Sequence, residues 1–374
     1  MTGNILRRLL CAVLCIGLLC SCTATPESIE SPPEPAKAKA AAKREQVSVE
    51  VQWIETVAEV PPGDPELNGR LWDGPMPEGV DLRDRIYTDF QGTMNMIDLD
   101  GNLVRWGWNG DNLDAGWSYE DGKQTFMQRN VLMKNVQKVT WGFRASLAID
   151  GNQDLWGWGS NFCLLLYNGD SYHPPREPIK ILSGVKDVTA GDFNTAVVRT
   201  DGRLQVWGRI DILGDMANYE EPMTLQTGIE KVCSVDTLMY IDQQHRLYYY
   251  PDGWGKQHEP KLLDCDIDDV SFLLWNFFLE RKTDGSVWIR HFNSKPVLVA
   301  EDSKQLAYNG YIAPDGTFWS CRKLEDVEDD PGLSLIVQPM DSACSMIEYG
   351  NSGNRGSVHI MKDGEVRVCK EGFG

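Results

Sequence analysis

The stretch AIDGNQDLWGWGSN, residues 148–161, sets the pair Asp150-Gly151 between an apolar run and an alternating one that carries two tryptophans. Read locally it is a β-hairpin. Asp-Gly suits a type I′ turn, whose central residues need positive φ, and apolar residues flank it on both sides. The phrase recurs. Aligned on the turn, the copies are TMNMIDLDGNLVRWGWN, RASLAIDGNQDLWGWGSN, NTAVVRTDGRLQVWGRID, TLMYIDQQHRLYYYPDG, NFFLERKTDGSVWIRHF, NGYIAPDGTFWSCRKL and GSVHIMKDGEVRVCKEG. Their turn residues are Gly101, Gly151, Gly202, His245, Gly285, Gly316 and Gly364, mostly 40 to 51 apart. The interval of 31 between Gly285 and Gly316 predicts a unit that has lost loops or a strand. In the fourth copy Gln244-His245 replaces Asp-Gly, which predicts a different turn or a longer loop.

Between hairpins lie further short runs, VQKVTWG, VKDVTAG and IEKVCSV, each after a loop bearing Pro or Gly. They complete units of about 45 residues, the length of a four-stranded propeller blade. Such sheets cannot cover both faces alone, so radial stacking follows: an all-β, seven-bladed β-propeller of four-stranded blades, degenerate in its C-terminal units. The pairs Trp106-Gly107, Trp156-Gly157 and Trp207-Gly208 read as structural. Each Trp buries on the order of 200 Å² as a wedge between blades, and the Gly permits close approach. Trp108 and Trp158 share a face with Trp106 and Trp156 by strand alternation, which favours the core, but they also begin loops, where bases or sugars could stack on them. The last copy stops ten residues after its turn, and VSVEVQW, residues 47–53, alternates as a half-buried strand. Residues 47–54 are therefore expected to complete blade seven, with the start of blade one as the alternative.

WGWGSNFCLLLYNGDSYHPPREPIKILSGVKDVTAG, residues 156–191, resembles the repeat of the regulator of chromosome condensation family. Trp158, Gly159 and Asn161 fit its Trp-Gly-x-Asn element, Pro178 its Pro-containing stretch, and Val185, Val188 and Gly191 its Val-x-x-Val-x-x-Gly strand. The Gly-Gln-Leu-Gly loop is missing, echoed only by YNGD, NLDAG and DILGD. The resemblance spans about residues 85–374, strong in three units and weak in four. It implies a seven-bladed propeller. The guanine nucleotide exchange and chromatin contact of the founding member are not carried over, because export and charge oppose both.

The N-terminus reads as an export signal. Arg7 and Arg8 precede LLCAVLCIGLLC, an apolar run too short to span a bilayer. Leu19 to Cys22, LCSC, resembles the bacterial lipobox, which implies lipidation at Cys22. The domains expected are thus a lipoprotein signal peptide over 1–21, a disordered tether over 22–46, rich in Pro, Ala, Glu and Lys, and the propeller over 47–374. Net charge is −19, or −21 without the two leader arginines. Such a surface repels phosphate backbones, so nucleic acid is excluded and membrane contact is assigned to the anchor alone. Cys163, Cys233, Cys265, Cys321, Cys344 and Cys369 permit up to three disulfides, with no pairing deducible, and buried free thiols are the alternative.

Chemistry has few footholds. DLDGN, residues 98–102, resembles a calcium loop but lacks the bidentate Glu, so it reads as a hairpin turn. The clusters DCDIDD and EDVEDD read as solvated acidic faces. Ser171 in NGDSYH, near His173, is a weak hydrolase candidate without the strand-turn-helix elbow or an acid partner. Neither a metal nor a cofactor is expected. The leading expectation is a monomeric, non-catalytic, lipid-anchored, extracytoplasmic propeller that binds a protein through loops on one face. The alternative is recognition of cell-wall glycan through Trp108, Asn109, Trp158, Asn161, Tyr248 and Trp254.

Overall fold

In the computed structural model the residues described are 49–88, 93–109, 125–142, 145–159, 161, 166, 175, 177–191, 193–210, 218–234, 237–251, 259–274, 277–292, 294–323, 333–342, 344–349 and 356–370. They form seven sheets arranged as the blades of a propeller, each running outward from strand A at the centre to strand D. Blade one is Ile86–Thr88, Thr93–Ile97, Leu103–Asn109 and Thr125–Met133. Blade two is Val136–Gly142, Ala145–Asp150, Asp154–Gly159 and Ile179–Ser183. Blade three is Val185–Ala190, Asn194–Arg199, Leu204–Arg209 and Asn218–Gln226. Blade four is Ile229–Ser234, Met239–Asp242, Leu247–Tyr249 and Lys261–Asp264. Blade five is Ile267–Leu274, Phe277–Lys282, Val287–His291 and Val297–Ala300.

Blade six keeps all four strands, Gln305–Ala307, Gly310–Ile312, Phe318–Lys323 and Leu333–Met340. Its short repeat interval therefore reflects lost loops: A and B are joined by Tyr308 and Asn309 alone, with Asn309 at φ 53. Blade seven contributes Cys344–Tyr349, Gly356–Ile360 and Glu365–Lys370, and its outer strand is Gly69–Arg70. This corrects the expectation for residues 47–54. Val49–Trp53 instead pairs in parallel with Leu333–Val337 as a fifth strand of blade six. The physical reason is the anchoring further along the chain. Asp64 N–H donates to Val368 O (2.7 Å), Val368 N–H to Asn68 Oδ1 (2.9 Å) and Leu71 N–H to Gly364 O (2.7 Å), while Leu67, Leu71 and Trp72 are buried.

The hairpin turns are regular in a way that their sequences hide. In every blade the turn-closing N–H donates back three residues, from Gly101 to Asp98 O, Gln153 to Asp150 O, Gly202 to Arg199 O, His245 to Asp242 O, Gly285 to Lys282 O, Gly316 to Ala313 O and Gly364 to Met361 O. All seven closing residues have positive φ, from 57 to 92°, and the residues before them do not. That is a type I turn followed by one left-handed residue, not the type I′ turn expected. The second unit is thus two residues out of the sequence alignment: Gln153, at φ 63, takes the place of Gly101, and Gly151 does not. Gly151 is small for another reason, since a Cβ there would lie 2.4 Å from Asn135 Oδ1. His245 supplies the same left-handed residue in unit four, so no altered or longer loop is formed. Where the closing residue is not Gly, an Asp at the turn's first position compensates. Asp150 Oδ1 accepts from Asn152 and Asp154 N–H, and Asp242 Oδ1 from Gln244 and Arg246 N–H.

The apolar cores lie between blades. Leu147, Ile149 and Leu155 of blade two pack on Val185, Val188 and Trp207 of blade three, and Val198 and Val206 of blade three pack on Ile229 and Tyr240 of blade four. The same turns are stitched across the gaps: Val136 N–H donates to Gly101 O, Val185 to Gln153 O, Ile229 to Gly202 O and Ile267 to His245 O, at 2.8 to 2.9 Å. On this face the connections between blades are short. The longer segments, such as 110–124, 160–178 and 324–332, leave from the opposite strand ends, between C and D.

Candidate functional site: charged side chains at the mouth of the central channel

Four consecutive innermost strands begin Val136-Gln-Lys138-Val139, Val185-Lys-Asp187-Val188, Ile229-Glu-Lys231-Val232 and Ile267-Asp-Asp269-Val270. In each, the pairing register shifts between the first and third residues. Such a bulge breaks the two-residue alternation. The apolar first and fourth residues are both buried between blades, and the charged third residue is turned to the channel. The bulge explains why the repeat reads Val-x-x-Val and not Val-x-Val.

Around the channel the third residues alternate Lys138, Asp187, Lys231, Asp269. The segment ahead of blade one closes the series. Asp81 caps the short 3-10 turn Leu82–Asp84 by accepting from Arg83 N–H, and the Arg83 guanidinium reaches Asp81 (2.7 Å) and Asp269. Arg83 also donates to Val270 O, and its own carbonyl accepts from Tyr308 O–H at 2.8 Å. Lys138 Nζ lies 2.8 Å from both Asp84 and Asp187, and Lys231 Nζ 2.5 Å from Asp269.

Burial opposes every one of these charges and is overcome where partners are close. It would push Asp269 up, but Arg83 and Lys231 hold that carboxyl below its usual range. It would lower Lys138, but Asp187 and Asp84 raise it above the ordinary lysine value. At Asp84 burial outweighs the pull of Lys138, the like charges of Asp81 and Asp187 add to it, and the carboxyl is raised. Removing one member would strand a buried partner at a cost of about 3–5 kcal/mol.

Beside this series a cavity of about 410 Å³ opens on the stitched face, between Lys138, Asp187 and Lys231 and the turn residues Gln243 and His245. The volume is in the range of small-molecule sites. Sequence reading missed the set; its signal is a charged residue third in each Val-x-x-Val run. Asp264 and Asp268 of DCDIDD are taken up by Arg290 and Arg281, so that cluster is largely paired, not a free acidic face. Likewise Asp98 of DLDGN spends its carboxylate on Asp100 N–H, Asn102 N–H and Asn102 Nδ2.

The binding residues expected from sequence are not brought together here. Trp158 is 2% exposed and packs in the core near blade one, as strand alternation favours, which overturns the alternative of an exposed stacking surface. Counting from the turn-closing residues shows why. Trp158, five after Gln153, is the equivalent of Trp106 and Trp207, and Gly107, Gly159 and Gly208 all have positive φ. Trp156 is only half-buried, its Nε1 donating to Asp150 Oδ2 at 3.1 Å, so the wedge assigned to it belongs to Trp158. Gly157 is a packing glycine, where a Cβ would lie 2.5 Å from Ile181 Cδ1. Asn161 is fully buried and its Oδ1 accepts from Leu166 N–H at 2.8 Å, a structural role. Tyr248 is half-buried, stacked on Tyr240 at 5.4 Å. The side chains of Trp108 and Asn109, and Cys22, Cys163, Ser171, His173 and Trp254, lie outside the described residues. Cys233, Cys265, Cys321 and Cys369 are free thiols, and burial pushes Cys233 up to about 12. Among the described residues no group of three or more His, Cys, Asp or Glu is placed to hold a metal ion.

Residues 185–209, strands A to C of blade three, match the family model for the regulator of chromosome condensation (RCC1) repeat. The chain is a seven-bladed propeller carrying an RCC1 repeat. Among solved structures it is similar to Prp20p of Saccharomyces cerevisiae, at 12% identity over 74% of this chain and 87% of that one, with a TM-score of 0.54. It is also similar to human WBSCR16, at 11% identity over 70% and 88%, with a TM-score of 0.46. No curated protein matches it in sequence. At these identities the likeness of this propeller to its neighbours is one of fold.

Proposed function

We propose that this RCC1-type propeller is an exported protein, anchored by lipid at Cys22 and held on the 22–46 tether, that binds a protein partner without catalysis. The observation that carries the reading is the asymmetry of the two faces. One face is stitched by short turns and inter-blade hydrogen bonds, whereas the long C-to-D segments all leave from the other. A rigid ring that presents its variable segments on one side is suited to binding through them. Prp20p, similar in fold, is described by its binding to Gsp1p and histones, which supports protein binding as a use of this scaffold.

The test has two arms. Cys22→Ala is expected to move the protein from the membrane to the soluble fraction, and unchanged fractionation would remove the anchor. A pull-down from membrane and wall fractions with residues 47–374 should retain one protein stoichiometrically. Trp108→Ala, at the end of strand C of blade one, and Trp254→Ala, on the C-to-D segment of blade four, should weaken that capture at least about tenfold. Retention of glycan alone would overturn the protein-binding reading, and protein capture indifferent to those changes would remove the two tryptophans from the binding face.

A further inference from the structure

The alternating charges around the channel mouth are joined at every step but one. Asp84 meets Lys138, Lys138 meets Asp187, Lys231 meets Asp269, and Asp269 meets Arg83, but no ion pair among the described residues joins Asp187 to Lys231. Asp187 is already satisfied: it holds Lys138 and accepts from Val188 and Val232 N–H. Lys231 is not, for its ammonium has three donors and, among the described residues, only Asp269 as a hydrogen-bond partner. Asp84 mirrors it, with one oxygen on Lys138 and no partner among the described residues for the other. Both residues line the same 410 Å³ cavity, and their side chains are 29% and 34% exposed.

We propose that this cavity binds a small zwitterion, its carboxylate on Lys231 and its ammonium on Asp84. The charge of the whole chain favours such a ligand over an ion of one sign. At −19 the surface repels a free anion, and a free cation on Asp84 would leave the spare donors of Lys231 unanswered. A molecule with both groups is neutral at long range and completes the alternation at short range. Gln243 and His245 form the outer wall from the blade-four turn.

The distance between the two groups is read with ω-amino acids of increasing length, from glycine and β-alanine to 6-aminohexanoate, titrated calorimetrically into the full chain. At least one member is expected to bind at millimolar concentration or below, with an optimum length. The n-alkylamine and n-alkanoate of that length should bind at least about tenfold more weakly. Lys231→Gln and Asp84→Asn, each checked to be folded at the titration temperature by a cooperative thermal transition above it, should each cost about tenfold or more, whereas Lys362→Gln should cost nothing. If one of the two variants fails to fold, the other carries the test. Absence of binding across the series, equal binding of amine or alkanoate alone, or full affinity in a folded Lys231→Gln or Asp84→Asn protein would overturn the proposal. Partner capture on the opposite face is read separately, so either result stands without the other.

Discussion

At the scale of the residue, Trp158 separates a packing role from a binding one. Its ring is 2% exposed among core residues, and the following Gly159 sits at φ 90, as Gly107 and Gly208 do after Trp106 and Trp207. The surrounding strands, paired through Ser146 and Trp158, cannot collapse into the space that its removal would leave. Trp158→Ala is therefore expected to destabilise the protein by about 3–5 kcal/mol in urea unfolding. An unchanged unfolding midpoint would return Trp158 to the list of surface residues. Trp156, half-buried, should tolerate the same change with a smaller loss.

At the scale of the element, strands B and C of blade five hold a charge that packing does not welcome. Glu280 is fully buried beside Arg290, with Nε and Oε1 2.8 Å apart, and Arg290 also reaches Asp264 at the end of blade four. Burial pushes the Glu280 carboxyl up to about 7, although Arg290 pulls the other way. A carboxyl raised on folding contributes stability in full below its unfolded value near 4.5, and that contribution is lost as pH rises through 7. His359, lowered by burial to about 4, tilts the dependence in the opposite sense. A comparison with Glu280→Gln isolates the first effect. The variant should gain on the parent between about pH 4.5 and 7.5, by about 3 kcal/mol in total. Parallel stability curves for the two proteins across that range would refute it.

Elements were also where the sequence was legible and where it misled. Seven hairpins and the Val-x-x-Val strands could be counted, because alternation and turn residues are local properties. The register of unit two was read wrongly because Gly151 looks like the turn glycine. The left-handed residue is Gln153, made tolerable by the Asp150 carboxylate, and that compensation is invisible to an alignment on Gly. The channel residues were in view but uninterpreted. A bulge decides that Lys138, Asp187, Lys231 and Asp269 face the axis, and their partners Arg83 and Asp84 come from another part of the chain.

At the scale of the molecule, what closes the ring lies between residues 57 and 75, not at the strand that sequence alternation favoured. Val49–Trp53 is a fifth strand on a blade already complete, and Trp53 is 52% exposed. By contrast Leu67, Leu71 and Trp72 are buried, Trp106 Nε1 donates to Leu67 O at 2.8 Å, and Gly69–Arg70 pairs with the last strand of blade seven. Gly364 is matched to this arrangement, since a Cβ there would lie 2.3 Å from Trp72 O. Burial of three large side chains contributes on the order of 5 kcal/mol, comparable to the net stability of many domains. Removal of residues 1–56 is thus expected to leave one cooperative urea transition with a modest shift. Removal of residues 1–75 should leave blade seven without its outer strand, open the joint between the first and last blades, and abolish that transition. Limited proteolysis should then cut first at the exposed ends of blades one and seven. A 76–374 fragment that unfolds like the 57–374 fragment would mean that blade-to-blade packing alone holds the ring shut.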